Sequence, residues 1–226
     1  MMNDNAQAYF AKRAVLERIA AALMLVILSP VFASVAILIA VLMGRPILFR
    51  QQRVGQYGKV FWILKFRTMI NNAEEIGGGC IPADLNLVPP LGEKLRRYSL
   101  DELPQLVNIV RGDMSFVGPR PALPEQYARY TAEQAQRVLV PQGLTGLAQI
   151  AYRAEAPWSL RIEKDLEYAS KAGPLVDLRI IIATAFKVLR AEGVVETLSP
   201  AEVDDFGPKG DGGQMTSPPS PRQVDV

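Results

Sequence analysis

The sequence predicts an α+β fold that is mostly helical and monotopic, attached to one face of a membrane by an N-terminal re-entrant helix. Residues 19–43 form an uncharged, predominantly apolar run, and a helix needs roughly 20 apolar residues to cross a bilayer. Residues 46–66 are typical of a small β element, whereas most later segments carry apolar side chains at helical spacing. We divide the 226 residues into an N-terminal segment with the membrane helix (1–45), a globular domain (46–195) and a tail (196–226).

The membrane helix is expected to be kinked by Pro30. This proline has no N–H for the carbonyl of Val26 and its ring clashes there, while Ser29 can hydrogen-bond a freed carbonyl. Basic residues flank the run on both sides: Lys12, Arg13, Arg18, Arg45, Arg50 and Arg53. A spanning helix normally has Lys and Arg concentrated on one side, so symmetric flanks favour a hairpin with both ends in the cytoplasm. A kinked single span is the alternative, because proline is tolerated in ordinary transmembrane helices.

The globular domain is predicted to contain short elements. In order, we expect a strand pair or hairpin at 46–66, a loop at 71–92, a helix at 93–110, a strand at 114–117, a helix at 125–139, a Gly-rich connection at 140–150, and helices at 161–170 and 175–189. The last helix is apolar enough to lie along a membrane interface, and packing onto the domain is an equal alternative. The acidic, Pro-, Gly- and Ser-rich tail is predicted to be disordered.

Composition narrows the chemistry. The chain has no histidine and one cysteine, Cys80, which excludes imidazole-dependent catalysis, His-ligated metals, an internal disulfide framework and cysteine metal clusters. Carboxylates, Lys, Arg, hydroxyls and a hard cation such as Mg²⁺ remain. The formal charge is −4 in the tail and +6 in residues 1–195. A basic domain beside a membrane fits anionic lipids or a phosphate-bearing substrate, and the scattered basic residues argue against nucleic acid.

Asp101 and Glu102 are the main candidates for chemistry. Ser99 and Glu102 match a capping box, which gives a purely structural explanation for the acidic pair. Pro104 fits better if Asp101 caps the helix, because a proline there removes no needed N–H. In both cases the carboxylates lie at a helix N-terminus, where negative charge is favoured, so we expect Asp101 to be ionised near neutrality. An ionised aspartate beside a docked phosphate is a plausible nucleophile towards phosphorus.

Basic residues could serve as partners for a phosphate. Lys65 and Arg67 alternate with apolar residues and would share one face of a strand. For an isolated pair, a solvated strand face is the preferred explanation. Arg120 lies between two prolines that fix its backbone, so its guanidinium is presented with little entropy left to lose. Arg153 and Asp177 carry almost no signal by themselves.

Five motifs in order resemble those of the bacterial sugar transferase family, the monotopic polyprenyl-phosphate phosphoglycosyl transferases. They are the Ser29-Pro30 break, Lys65-Phe66-Arg67-Thr68-Met69, Ser99-Leu100-Asp101-Glu102-Leu103-Pro104-Gln105-Leu106, Gly112-Asp113-Met114-Ser115-Phe116-Val117-Gly118-Pro119-Arg120-Pro121 and Leu144-Thr145-Gly146-Leu147-Ala148-Gln149. The resemblance runs from about residue 16 to residue 190. It implies an enzyme that transfers a sugar 1-phosphate from a nucleotide diphosphate sugar, usually a UDP-sugar, to undecaprenyl phosphate and releases UMP. This step begins the assembly of exopolysaccharide, capsule, O-antigen or glycoprotein glycans.

The resemblance also implies roles for individual residues. Asp101 would form a covalent aspartyl phosphosugar, and Glu102, with Asp101, would hold Mg²⁺. The remaining assignments are to substrate binding: Pro119, Arg120 and Pro121 on the nucleotide, Arg153 with Lys65 and Arg67 on phosphate, and Gln149 from the last motif. Asp177 would be an ion-pair partner of the basic strand.

The resemblance further implies a location at the cytoplasmic face of the bacterial inner membrane, next to anionic lipids. A homodimer and downstream glycosyltransferases are further partners to be tested. We expect the chain to be similar to the minimal catalytic type, without the multi-helix N-terminal region of long members. Ala151-Tyr152 stands where the family often has Asn-Gly, a departure that bears on sugar preference and loop geometry. A catalytically silent membrane scaffold and an aspartyl-phosphate hydrolase are the alternative functions.

Overall fold

The computed structural model describes residues 4–71, 87–152, 156–190 and 205. The helices and strands are, in chain order, α1 (Asp4–Ile27), α2 (Ser29–Leu42), β1 (Leu48–Val54), β2 (Val60–Phe66), α3 (Pro90–Arg97), α4 (Gln105–Arg111), β3 (Ser115–Val117), α5 (Pro124–Tyr127), β4 (Gly143–Thr145), α6 (Leu147–Tyr152), α7 (Trp158–Lys171) and α8 (Pro174–Leu189). Short 3₁₀ turns lie at Gln56–Gly58, Leu100–Glu102 and Gln134–Val138. The predicted α+β class, mostly helical with a small β element, is confirmed.

Helices α1 and α2 form a bent pair. Their axes differ by 62° at the break between Ile27 and Ser29, and the Ser29 hydroxyl donates to the carbonyl of Val26 over 2.8 Å. The predicted kink is therefore confirmed, and the serine satisfies a carbonyl that Pro30 cannot reach. Among the described helices, none alone combines the length and hydropathy needed to cross a bilayer, whereas the bent pair does so jointly.

The β structure consists of two small sheets. Strands β1 and β2 pair antiparallel with Phe49 opposite Lys65, which confirms the predicted hairpin. Strands β3 and β4 pair parallel, so the predicted Gly-rich connection at 140–150 is wrong in part: it contains β4 and most of α6. The glycines serve close packing, because a Cβ on Gly143 would lie 2.1 Å from the nitrogen of Gly118.

Two predicted helices are interrupted. The helix expected at 93–110 is divided by Ser99, whose φ of 54° is left-handed, and α4 begins only after Pro104. The helix expected at 125–139 becomes α5 and a 3₁₀ turn, because Thr131 and Gln134 exchange side-chain-to-backbone hydrogen bonds that begin a new turn. The helices predicted at 161–170 and 175–189 are confirmed as parts of α7 and α8. The tail, except residue 205, and most of the loop predicted at 71–92 lie outside the described residues.

The core consists of three apolar clusters that join the N-terminal helices to the domain. The first contains Ala21 of α1 with residues of β2 and α4, the second joins Phe10 to β3, α7 and α8, and the third joins Ile39 of α2 to β2 and α3. Helices α1 and α2 thus contribute to the same core as the globular domain. Most of the exposed large apolar side chains lie on α1, α2 and α8.

Candidate active site

The acidic pair lies on the 3₁₀ turn between α3 and α4. The left-handed backbone of Ser99 turns the chain, and its side chain forms no capping hydrogen bond. The predicted capping box is therefore wrong, since a left-handed residue cannot present its hydroxyl as an extended N-cap residue does. Pro104 occupies the position before α4, where no backbone N–H is needed. The turn leaves Asp101 largely buried and Glu102 partly exposed.

Glu102 is bracketed by two cations. Its Oε1 accepts from Lys65 Nζ at 2.6 Å and from Arg120 Nη2 at 2.8 Å. Burial opposes ionisation of Glu102, but the charges and hydrogen bonds of Arg120 and Lys65 outweigh it and lower the pKa of this carboxyl. Burial also lowers the pKa of Lys65, against the opposing pull of Glu102. The structure thus places three residues from three separate motifs in direct contact.

Asp101 has the opposite environment. Its side chain is largely buried, with 8% relative exposure, and it forms no hydrogen bond within the described residues. Burial, followed by the negative charge of Glu102, raises the pKa of Asp101 to about 6, and Lys65, Arg96 and Arg120 only partly offset this. The expectation that a helix terminus would favour the charged form is therefore wrong in direction, because burial dominates. The carboxyl still ionises below neutral pH, so it is mostly charged at pH 7.

The segment that carries Arg120 is fixed through its backbone. The Gly143 N–H donates to the carbonyl of Pro119 at 2.9 Å, and an Arg53 guanidinium nitrogen donates to the carbonyl of Pro121 at 3.3 Å. The Arg120 side chain retains about a third of its exposure, at 38%. A guanidinium that is anchored on a carboxylate yet open to solvent can contact an incoming phosphate.

Several other predicted residues lie elsewhere. Arg67 donates to the carbonyls of Gly44 at 2.7 Å and Arg45 at 3.1 Å, so it secures the chain that follows α2. Asp177 contacts Arg13 at 2.5 Å; its predicted pairing with the basic strand is wrong because α8 packs against α1.

Two further predicted positions remain. Gln149 donates to the carbonyl of Leu144 at 3.2 Å, and its buried Oε1 forms no hydrogen bond among the described residues. Arg153 lies outside the described residues.

Sequence reasoning missed Asn108, which sets the position of β2 against α4. Its Oδ1 accepts from the Leu64 N–H at 3.0 Å and its Nδ2 donates to the Trp62 carbonyl at 2.8 Å. It is fully buried and lies in α4, the helix that follows the acidic turn, so it holds Lys65 within reach of Glu102. The available signal was an amide in the middle of an apolar helical stretch.

The site offers few ligands for a metal. Within the described residues, no three Asp, Glu or Cys side chains cluster as a metal site. Asp101 and Glu102 nonetheless supply hard oxygen donors, and both cations contact Glu102 through Oε1, leaving its Oε2 available. Mg²⁺ is commonly held by one or two carboxylates together with substrate phosphates, so the donor set fits this ion when a phosphate substrate is present.

Comparison with known proteins gives a consistent result. The sequence profile of the bacterial sugar transferase family matches residues 7–191. An uncharacterized sugar transferase, EpsL, of Bacillus subtilis is 41% identical over 154 residues, which cover 68% of this chain and 75% of EpsL. The undecaprenyl-phosphate galactose phosphotransferase of Salmonella typhimurium is 34% identical over 66% of this chain. The UDP-glucose:undecaprenyl-phosphate glucose-1-phosphate transferase of Escherichia coli is 38% identical over 74% of it. The matched regions span only 35% and 38% of these two longer relatives.

Proposed function

The chain belongs to the bacterial sugar transferase family, and we propose that it transfers a sugar 1-phosphate from a UDP-sugar to undecaprenyl phosphate, releasing UMP. The observation that carries the proposal is the cluster of Asp101, Glu102, Lys65 and Arg120. It combines an unpaired, buried carboxylate with a second carboxylate and two cations. The cations can bind a diphosphate, and the unpaired carboxylate can attack one of its phosphorus atoms.

Asp101 is the proposed nucleophile. One of its carboxylate oxygens attacks the phosphorus that bears the sugar, the bond from that phosphorus to the bridging oxygen breaks, and UMP leaves with the bonding electrons. An oxygen of undecaprenyl phosphate then attacks the same phosphorus and displaces the Asp101 carboxylate. The products are undecaprenyl diphosphate sugar and UMP, and no proton transfer from a histidine is needed because both nucleophiles are anions.

Glu102, Lys65 and Arg120 prepare the site for this chemistry. The two cations hold Glu102 ionised beside Asp101, and Arg120 is exposed enough to contact the nucleotide diphosphate. Asp101 and Glu102 would hold Mg²⁺, which when bound neutralises charge on the diphosphate. Without metal, burial raises the pKa of Asp101 to about 6, so this carboxyl is more basic than that of an ordinary aspartate and is still mostly ionised at pH 7.

We propose that the bent α1–α2 pair attaches the enzyme to the inner membrane. The 62° bend, basic residues on both sides of the apolar run and exposed apolar side chains on α1, α2 and α8 support a re-entrant helix with α8 at the interface. A direct test uses sealed vesicles with a tag at Met1 and a thiol reagent for Cys80. Both should be labelled from the same side; labelling from opposite sides would establish a spanning helix.

The decisive experiment measures UMP release across a panel of UDP-sugars, with undecaprenyl phosphate and Mg²⁺. Wild type should turn over at least one donor, and Asp101→Asn should reduce the rate at least ~10³-fold. Glu167→Gln, which changes two solvent-accessible ion pairs on α7, should match wild type. Wild-type turnover by Asp101→Asn would end the nucleophile assignment.

The same assay separates the alternative functions. Without acceptor, a single turnover should release one UMP and increase the intact mass of the protein by one sugar phosphate, and adding undecaprenyl phosphate should discharge it into lipid. Discharge into water as sugar phosphate would identify a hydrolase. A protein that binds membranes but releases no UMP from any donor would be the silent scaffold.

A further inference from the structure

The chain from residue 117 to residue 120 delivers Arg120 to the active site. Two backbone hydrogen bonds to β4, each 2.9 Å long, fix Gly118 and Pro119 in the middle of this segment. The carbonyls at its two ends, those of Val117 and Arg120, each accept a hydrogen bond from a buried arginine. Neither arginine belongs to the cluster around Asp101.

Arg13 of α1 holds the first end. Its Nη2 donates to the Val117 carbonyl at 2.9 Å, while its Nη1 contacts Asp177 Oδ2 at 2.5 Å and the Tyr168 hydroxyl at 2.7 Å. The Tyr168 hydroxyl also donates to Asp177 at 2.8 Å. The guanidinium is therefore fixed by α7 and α8 in the orientation that points one nitrogen at β3.

Arg137 holds the other end. Its Nη2 donates to the Arg120 carbonyl at 2.8 Å and also contacts Asp165 of α7, and its Nη1 donates to the Tyr130 hydroxyl at 2.8 Å. The side chains of Arg137 and Asp165 are only 1% and 2% exposed. This pair is the most deeply buried ion pair described for the chain.

Two buried ion pairs from different parts of the fold thus converge on one segment of four residues. Buried ion pairs are costly to desolvate and often contribute no more stability than apolar side chains of the same size. The guanidinium group of an arginine is planar and rigid, however, so it can hold a backbone carbonyl and an acid in a fixed relative geometry, whereas the single ammonium of a lysine on its flexible stem imposes no such geometry. Convergence on the two ends of the Arg120 segment indicates a geometric role.

We propose that Arg13 and Arg137, each oriented by its buried aspartate, are positioning residues that clamp residues 117–120 and thereby place the Arg120 guanidinium on Glu102. This inference rests on the proposed function only where it is tested by the rate of UMP release. Because Arg13 lies in α1, the same contact makes the geometry of residues 117–120 depend on the position of α1.

A double-mutant cycle tests the clamp. Arg137→Lys keeps a charge opposite Asp165 but loses the planar fork, and it should lower kcat/KM for the UDP-sugar about tenfold, with KM rising more than kcat falls. In an Arg120→Ala background the same substitution should cost less than about twofold, since the group being positioned is gone. Equal losses in both backgrounds would show general destabilisation and overturn the proposal. Glu167→Gln is a control on α7, the helix that carries Asp165.

Hydrogen exchange supplies an independent readout. Arg13→Lys and Arg137→Lys should each accelerate exchange of the peptide covering residues 116–123 about tenfold or more, while the β1–β2 hairpin exchanges as in wild type. Having two variants guards against one failing to fold. If wild type releases no UMP from any donor, the proposed function fails, and this measurement still decides the clamp. Unchanged exchange of 116–123 in both variants would refute it.

Discussion

Asp101→Asn is expected to make the fold more stable at neutral pH while it abolishes turnover. Burial raises the pKa of Asp101 from an ordinary 3.8 to about 6. The two values differ by about 2, and each unit of pKa corresponds to about 1.4 kcal/mol, so ionised Asp101 costs the folded state roughly 3 kcal/mol. Asparagine has nearly the same shape and carries no charge, so the substitution removes this cost.

The sign of the pH dependence follows from proton binding. The folded state holds the Asp101 proton more tightly than the unfolded state, so the penalty is absent below pH 3.8, grows as the pH rises towards 6 and is complete above that value. Asp101→Asn should therefore exceed wild type in free energy of unfolding by up to about 3 kcal/mol at pH 8, and by little at pH 4.

Urea unfolding in detergent micelles with EDTA measures this difference, since the chelator keeps the carboxylates free of metal. Glu102→Gln is the control of opposite sign, because Arg120 and Lys65 stabilise the ionised form of Glu102, and it should be less stable than wild type at pH 8. An Asp101→Asn protein that is no more stable than wild type at pH 8, or whose advantage persists at pH 4, would refute the account of the buried carboxyl.

Two further substitutions test other parts of the structure. Gly118→Ala would place a Cβ 2.1 Å from a backbone carbonyl, so thermal melting should show a free energy of unfolding that is lower by about 3 kcal/mol or more. Gly173→Ala, where the nearest atom to the added Cβ is 3.9 Å away, should melt as wild type does. Equal melting of the two variants would contradict the packing argument. Pro30→Ala restores a helical N–H at the bend, so part of the population should span the membrane and label Met1 and Cys80 from opposite sides; unchanged same-side labelling would show that the bend does not depend on this proline.

Local signals predicted the elements that depend on local chemistry. The kink at Pro30 and the β1–β2 hairpin follow from nearest neighbours along the chain, and both are present. The prediction of a single helix at 93–110 is wrong for a local reason that the spacing of apolar residues does not reveal: Ser99 adopts a left-handed conformation. Periodicity records which side chains are apolar, and it is silent about the backbone angle of a polar residue between two helical turns.

Ion pairs between residues far apart in the chain could not be predicted from the sequence. Arg13 is one of the basic residues that flank the apolar run in the sequence, yet it is buried against Asp177, 164 residues away. Arg137 and Asp165 had no distinguishing neighbours at all. A buried ion pair leaves no periodic trace, because each partner looks like an ordinary surface charge on its own helix. Local patterns already indicate Asp101, Glu102, Lys65 and Arg120 as candidates one by one, and the family resemblance is what joins them into one site.

The two adjacent carboxylates show how neighbours in sequence acquire different roles. Asp101 and Glu102 lie on the same turn, but only Glu102 receives hydrogen bonds from the two cations. The pKa of Glu102 is therefore lowered, whereas burial and the charge of its neighbour raise that of Asp101. A carboxylate that is already paired with cations, as Glu102 is, makes a poor nucleophile but stays negatively charged. The unpaired one keeps its lone pairs and its basicity, which is why the attack on phosphorus is assigned to Asp101.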